Sequence, residues 1–300
     1  MKKLLLPILM IVTYVTGYSQ QDPLHAQYLN NPLVLNPAYS GINNVFNATL
    51  SHRSQWSGFS GAPETTSFTA HTSLVDNKVG VGLIFVRDGI ANITNTEFSA
   101  TGSYKIDLGD ATFSFGLQAG VVGYKESNSE LNVKDPDKLF EGDQNFSKFN
   151  FGAGVALKAK DYYLGLSIPR MINSTADFGN LEGEIYQRHV YLAAGYVYHL
   201  NAELALKPSV LLKGVSNAPL SVDYNASVVI HDKYTAGVFS RNFNTYGLLA
   251  QFNFKDHFRL GYVFEVPGNN SVGTSYSTHE ITLGVDFEIF DFHFLSERYF

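Results

Sequence analysis

Nine histidines are the first residues to test for chemistry, and none stands at the spacing that a metal or a catalytic triad needs. His279-Glu280 opens like the helical metalloprotease motif, in which a second His one turn later completes the zinc face. That second His is missing, and the segment alternates like a strand, so His279 reads as a lumen or rim residue. Gly80-Val81-Gly82 and Gly152-Ala153-Gly154 lack the third glycine of a dinucleotide loop. Both lie in strand-like runs, where small residues admit close neighbours. His71, Ser73 and Glu97 supply the residue types of an acyl-transfer triad, but a barrel-sized β protein contains such triples by chance. The loop from Lys125 to Phe146 carries Glu126, Glu130, Asp135, Asp137, Glu141 and Asp143, oxygen ligands of the kind calcium takes. Pro136, Lys125, Lys134 and Lys138 break a calcium-loop register, which favours a solvated charged loop. No phosphate loop and no nucleophile elbow occurs. The expectation is a non-enzyme with no catalytic residue, no metal site and no cofactor.

Composition narrows the class further. The chain has no cysteine, 16% charged residues, 14% aromatic residues and a net charge of −6. Soluble domains carry about 25% charged residues, so this chain is short of polar cover and calls for an apolar medium on part of its surface. The absence of cysteine removes disulfide scaffolds, thiolate metal sites and lipid anchoring through an N-terminal Cys. The acidic balance argues against nucleic acid, which rewards clustered Lys and Arg.

Residues 1–19 read as a secretory signal peptide: Lys2 and Lys3, an apolar run from Leu4 to Val15, then Gly17 and Ser19 as a small-x-small cleavage site. No later stretch is long and apolar enough for a transmembrane helix. A membrane location therefore requires a closed barrel, because only helices and barrels satisfy every backbone hydrogen bond in lipid.

Apolar residues after the signal recur every second position, the strand period. Phe149, Phe151, Ala153, Val155 and Leu157 share one face, with Lys148, Asn150, Gly152, Gly154 and Lys158 on the other. Leu220, Val222, Tyr224, Ala226, Val228 and Ile230 alternate in the same way with Ser221, Asp223, Asn225 and Ser227. Segments of this kind fall near 45–53, 63–74, 78–87, 92–106, 111–125, 147–158, 161–168, 185–199, 203–214, 219–231, 233–241, 244–254, 256–266 and 279–290. The expected fold is all-β: a transmembrane antiparallel β-barrel of about 14 strands, with short periplasmic turns and longer outer loops. Short connections at Asp76-Asn77, Asp107 to Asp110, Ala159-Lys160, Leu200 to Ala202, Asp232 and Lys255 alternate with long ones such as Ser54 to Ala62 and Pro169 to Glu184. The division is a signal peptide at 1–19, a periplasmic N-terminal segment at 20–44, the barrel at 45–290 and a tail at 291–300. The final strand, Thr282 to Ile289, resembles the insertion signal of outer-membrane barrels through Thr282, Gly284, Phe287 and Ile289. In that reading Phe287 and Ile289 face lipid while Asp286 and Glu288 face the lumen.

After the signal come Gln21-Asp22-Pro23, Gln27-Tyr28, Asn31-Pro32 and Leu35-Asn36-Pro37-Ala38-Tyr39-Ser40-Gly41. Further on stand His52-Arg53-Ser54-Gln55-Trp56, Gly58-Phe59, Gly61-Ala62-Pro63, Arg259-Leu260-Gly261-Tyr262, and a Ser296 to Phe300 ending with Glu297 where proline is usual. These blocks resemble the PorP/SprF family of type IX secretion and gliding-motility proteins of Bacteroidota. The resemblance implies an outer-membrane barrel acting with type IX components at the periplasmic face, and with a secreted adhesin that it helps to export or hold. It also implies partner-binding positions at Asn36, Pro37, Tyr39, Gly41, Arg53, Trp56, Gly58, Phe59 and Pro63.

Read from the residues themselves, prolines 23, 32 and 37 fix φ and remove donors. The N-terminal block is then a rigid element, and plugging the barrel and docking a periplasmic partner remain equal alternatives. Trp56 and Phe59 suit an interfacial anchor or a contact to a secreted partner. A diffusion or uptake channel for a small solute is the competing function; a plugged lumen disfavours it and an open lumen favours it.

Overall fold

Alternation over eight or more residues buries one face of a strand and leaves the other for lipid, and each backbone group finds its partner on the next strand. The computed structural model describes residues 28, 30–130, 142–177, 182–268 and 276–295. Residues 1–19, expected as a signal peptide, Gln21 to Gln27 and the Ser296 to Phe300 ending lie outside the described residues.

Two 3₁₀ turns, Pro32–Val34 and Pro37–Tyr39, come first. They are followed by β1 (Phe46–Ser54), β2 (Glu64–Leu74), β3 (Val79–Ile90), β4 (Ile93–Asp107), β5 (Ala111–Glu126), β6 (Gln144–Ala159) and β7 (Tyr162–Ile168). A small hairpin, β8 (Ser174–Asp177) and β9 (Glu182–Tyr186), interrupts the meander. The wall continues as β10 (His189–Tyr196), β11 (Tyr198–His199), β12 (Leu204–Val215), β13 (Ser221–Ile230), β14 (Tyr234–Arg241), β15 (Thr245–Phe254), β16 (Phe258–Pro267) and β17 (Thr278–Phe287).

Neighbours in sequence pair antiparallel all the way round, and the sheet closes where β1 pairs with β17 from Phe46↔Phe287 to Ser54↔His279. β10 and β11 lie in one register on β12. The break between them falls beside Pro208 of β12, which has no N–H to give the ladder. Taking β10 and β11 as one spanning strand and setting the hairpin aside, the wall has 14 strands. Among the described residues no helix is long and apolar enough to cross a membrane; this chain crosses with strands.

Burial follows the alternation. On β17, Thr278, Glu280, Thr282 and Asp286 are buried inward, while Ile281, Leu283 and Phe287 are exposed outward. Aromatic pairs such as Tyr234 with Phe252 and Tyr104 with Phe115 lie on the outer surface at the short-turn end.

One facing assignment needs correction. β17 stops at Phe287, so the alternation does not carry on to Glu288 and Ile289. Glu288 is exposed, accepting the Leu295 N–H at 2.7 Å, and Ile289 lies in the turn after the strand. Loop lengths also sort less cleanly than the sequence suggests. The loop-end connections at Ala91-Asn92 and Asn242 to Asn244 are as short as the turns.

Candidate functional site

The buried apolar core lies inside the barrel, and much of it comes from outside the wall. Leu33, Ala38, Tyr39 and Ile42 pack against inward Ile84, Val86, Ala156, Tyr163, Val197, Ala205 and Val229. Tyr28 and Leu35 meet Tyr191 and Leu211. The segment from Tyr28 to Val45 therefore fills the turn-end half of the lumen, leaving beside it a cavity of about 10 Å³, close to the room one water needs.

Local sequence explains its shape. Prolines at the start of each 3₁₀ turn pre-set φ, and the Asn36 side chain caps the second turn by accepting the Ala38 N–H at 3.0 Å. Gly41 ends the element at φ +63°, pressed against Thr72 and Gly80, where a side chain has neither the space nor the backbone freedom.

The wall holds this segment through hydroxyls and the ammonium groups of Lys105 and of Lys158, the latter donating to Asn43 Oδ1. Ser167 Oγ donates to the Leu35 carbonyl at 2.6 Å, Ser114 Oγ to Ala38 at 2.7 Å, Ser103 Oγ to Ser40 at 2.7 Å and Lys105 Nζ to Gly41 at 2.5 Å. In return Asn36 Nδ2 donates to the Val155 carbonyl at 3.0 Å, and the Gly41 N–H donates to His71 Nδ1 at 3.1 Å. Tyr39 is 1% exposed, its ring 5.0 Å from that of Tyr163. Burial first, then the Tyr163 hydroxyl, push the Tyr39 phenol well above its ordinary pKa, so it stays neutral.

Above the segment, charges fill the lumen. Arg53 is 2% exposed and bridges Glu265, reached by Nη1 and by Nη2 at 2.9 Å, and Glu280 at 3.2 Å. Arg241 pairs with Asp223 at 2.8 Å and reaches Glu265 at 3.8 Å. Glu97 takes Arg170 at 2.6 Å, Ser99 at 2.9 Å and Gln118 at 3.3 Å. Arg170 belongs to the long connection after β7, which enters the mouth: Asn150 exchanges bonds with Ile172 at 2.8 and 3.1 Å, and Arg170 lies 4.1 Å over the Tyr186 ring.

The sequence-predicted residues separate into three places. Asn36, Pro37, Tyr39 and Gly41 are buried in the lumen. Arg53 is in the charge network, and Pro63 is buried, its carbonyl accepting the Gln55 N–H. Trp56, Gly58 and Phe59 form the first outer loop, where Trp56 takes a positive φ, its N–H donates to Thr278 Oγ1 at 3.3 Å, and Phe59 meets Tyr276 edge-on at 5.7 Å.

In the insertion signal, Thr282 donates to Ser51 across the closing seam, and Gly284 gives room to the Arg259 guanidinium beside Asp286. His71, Ser73 and Glu97 do not converge. His71 serves Gly41, Ser73 bonds Asn77 and His293, and Glu97 sits with Arg170. In the acidic loop, the Ser129 N–H and hydroxyl hold the Asp143 carboxylate below its ordinary pKa; Asp135, Asp137 and Glu141 lie outside the described residues.

Sequence reasoning missed the wall donors Ser103, Lys105, Ser114 and Ser167, and the tail residue His293. The tail passes beneath β1, where His293 meets Ser73 at 3.1 Å and the Phe292 carbonyl accepts from Asn77 at 2.8 Å. A period-two pattern shows that such serines face inward, but nothing in it says what they meet.

A closed antiparallel barrel with an apolar outer face and a filled polar lumen is an outer-membrane barrel. The class agrees with solved structures. The Acinetobacter baumannii outer membrane protein Omp33 is 8% identical, with 82% of this chain and 100% of that chain covered and a TM-score of 0.50. A Pseudomonas aeruginosa FadL homologue is 11% identical, with 85% and 93% covered, at 0.50. The CymD monoaromatic hydrocarbon channel is 10% identical, with 91% and 96% covered, at 0.51. At these identities the likeness shows the fold alone. No curated protein matches the chain. Within the class the assignment is sharper, because the family model for the type IX secretion system membrane protein PorP/SprF matches residues 17–285. The chain belongs to that family.

Proposed function

We propose that this protein is a non-enzymatic, plugged barrel of the type IX secretion and gliding apparatus, which supports export or surface attachment of an adhesin and docks periplasmic partners. The observation that carries the reading is the occupied lumen: the Tyr28 to Val45 segment and the charged residues above it fill the space a diffusion channel needs. With both chain ends on the turn side, that side faces the periplasm. The turns, the tail pinned by His293 and the outward Val75 and Leu108 form the surface offered to periplasmic components. Trp56, Gly58 and Phe59, in the first outer loop, are the surface offered to a secreted partner.

Chemical cross-linking in native outer membrane, followed by pull-down and mass spectrometry, tests the assignment. Recovery of type IX periplasmic components and an adhesin is expected. Recovery of neither, together with solute uptake that depends on this protein, would overturn it in favour of a channel.

A further inference from the structure

We propose that the lumen wall around residues 35–41 is a peptide-binding site, and that the chain's own N-terminal segment is its resident, exchangeable ligand. The inference rests on the plug reading and extends it from a filler to a recognised ligand.

The wall reads main chain. Ser167 on β7, Ser114 on β5, and Ser103 and Lys105 on β4 donate to four backbone carbonyls, those of Leu35, Ala38, Ser40 and Gly41. His71 on β2 takes the Gly41 N–H. Any peptide able to take up the same 3₁₀ turns offers these groups. The backbone comes close enough because the wall lacks side chains where it passes. A Cβ on Gly80 would collide with the Ser40 carbonyl, one on Gly116 with Pro37 and Ala38, and one on Gly154 with the Asn36 side chain.

Selectivity then falls to a few side chains. Asn36 donates to Val155 beside Gly154 and Gly165, Ser40 meets Thr101 at 2.6 Å, and Tyr39 lies against Tyr163. Charged side chains have no place at positions 37–40, which are buried among hydroxyls and apolar groups. The ligand class is thus an uncharged peptide of the form Asn-Pro-small-aromatic-small-Gly.

The site does not need its occupant in order to exist. The barrel closes through β1 with β17 and β10 with β12, and the segment adds no strand to the sheet. Its bonds to the wall use wall side chains in every case named except the Val155 carbonyl. The segment is tethered to the barrel through Val45, one residue before β1 begins, so it is an intramolecular ligand. Its departure would free the site for the same chemistry supplied in trans.

The experiment uses the exported protein lacking residues 21–41 and a fluorescein-labelled peptide of residues 28–41, read by anisotropy in detergent. Saturable binding is expected. A peptide with Asn36→Ala and Tyr39→Ala should bind at least tenfold more weakly, as should the full-length protein, whose site is filled. Equal binding of a scrambled peptide, or equal binding by full-length protein, would overturn the inference. Labelling of a Ser40→Cys variant of the full-length protein with a membrane-impermeant maleimide tests the plug reading separately: a cysteine labelled in the folded barrel as fast as in the unfolded chain defeats that reading, whatever the peptide does. If the deletion blocks assembly, a full-length variant with a protease site replacing residues 42–44, cut after purification and washed free of the fragment, goes into the same assay with the same expected and overturning results.

Discussion

The two halves of the lumen are filled by different chemistry. Toward the periplasmic turns, the filling is a separate stretch of chain held by neutral hydroxyls, two lysines and apolar packing. Toward the outer loops, it is mostly the wall's own side chains, paired as Arg53 with Glu265 and Glu280 and Arg241 with Asp223, joined by Arg170 of the inward-folded connection on Glu97. A neutral hydrogen bond is worth about 0.5–1.5 kcal/mol net, and a segment tied to the rest of the chain can leave and return. A buried ion pair is costly to break, since the abandoned partner stays buried and charged. The lower half is therefore built to be occupied, and the upper half is built to stay closed.

The contrast orders the expected effects. Arg53→Ala, which takes from Glu265 and Glu280 the buried guanidinium they share, should cost about 3–5 kcal/mol, read as a large fall in the temperature at which the folded band is lost on semi-native gels. Arg53→Lys should recover only part of it, since one ammonium cannot replace the planar fork that meets both carboxylates. Leu283→Arg, in the middle of the lipid face of β17, should cost about 2–4 kcal/mol, while Phe287→Arg at the strand's periplasmic end should cost under about 1 kcal/mol. Equal losses from the two would refute the depth assignment. Ser114→Ala and Ser167→Ala should each cost about 1 kcal/mol, leave the folded band nearly unmoved, and raise the exposure of the N-terminal segment to added protease. If those serine variants lower barrel stability as much as Arg53→Ala does, the distinction between the halves fails.

Most of the wall was legible in the sequence because each spanning strand must alternate to satisfy lipid on one side and lumen on the other. The spans expected near 92–106 and 111–125 became Ile93–Asp107 and Ala111–Glu126. Alternation runs out where a strand ends, and for that reason Glu288, expected toward the lumen, is exposed instead. The N-terminal block was legible as rigid, from prolines 32 and 37, while insertion into the barrel and docking outside it stayed equal alternatives. Its partners Ser103, Ser114 and Ser167 lie 63, 76 and 132 residues away in sequence. Small hydroxyl residues on an inward face look the same whether they meet water or a peptide.

The placement of the N-terminal segment is open to one direct measurement, helped by a chain that contains no cysteine. The hydroxyls of Ser40 and Thr101 lie 2.6 Å apart in the lumen, so Ser40→Cys with Thr101→Cys brings two thiols within bonding reach in an oxidising compartment. In cells, the plugged lumen predicts a disulfide that shifts gel mobility until reduced, and protects both cysteines from a membrane-impermeant maleimide. Two free thiols, each labelled while the barrel remains folded, would show that the segment lies outside and would contradict the plug.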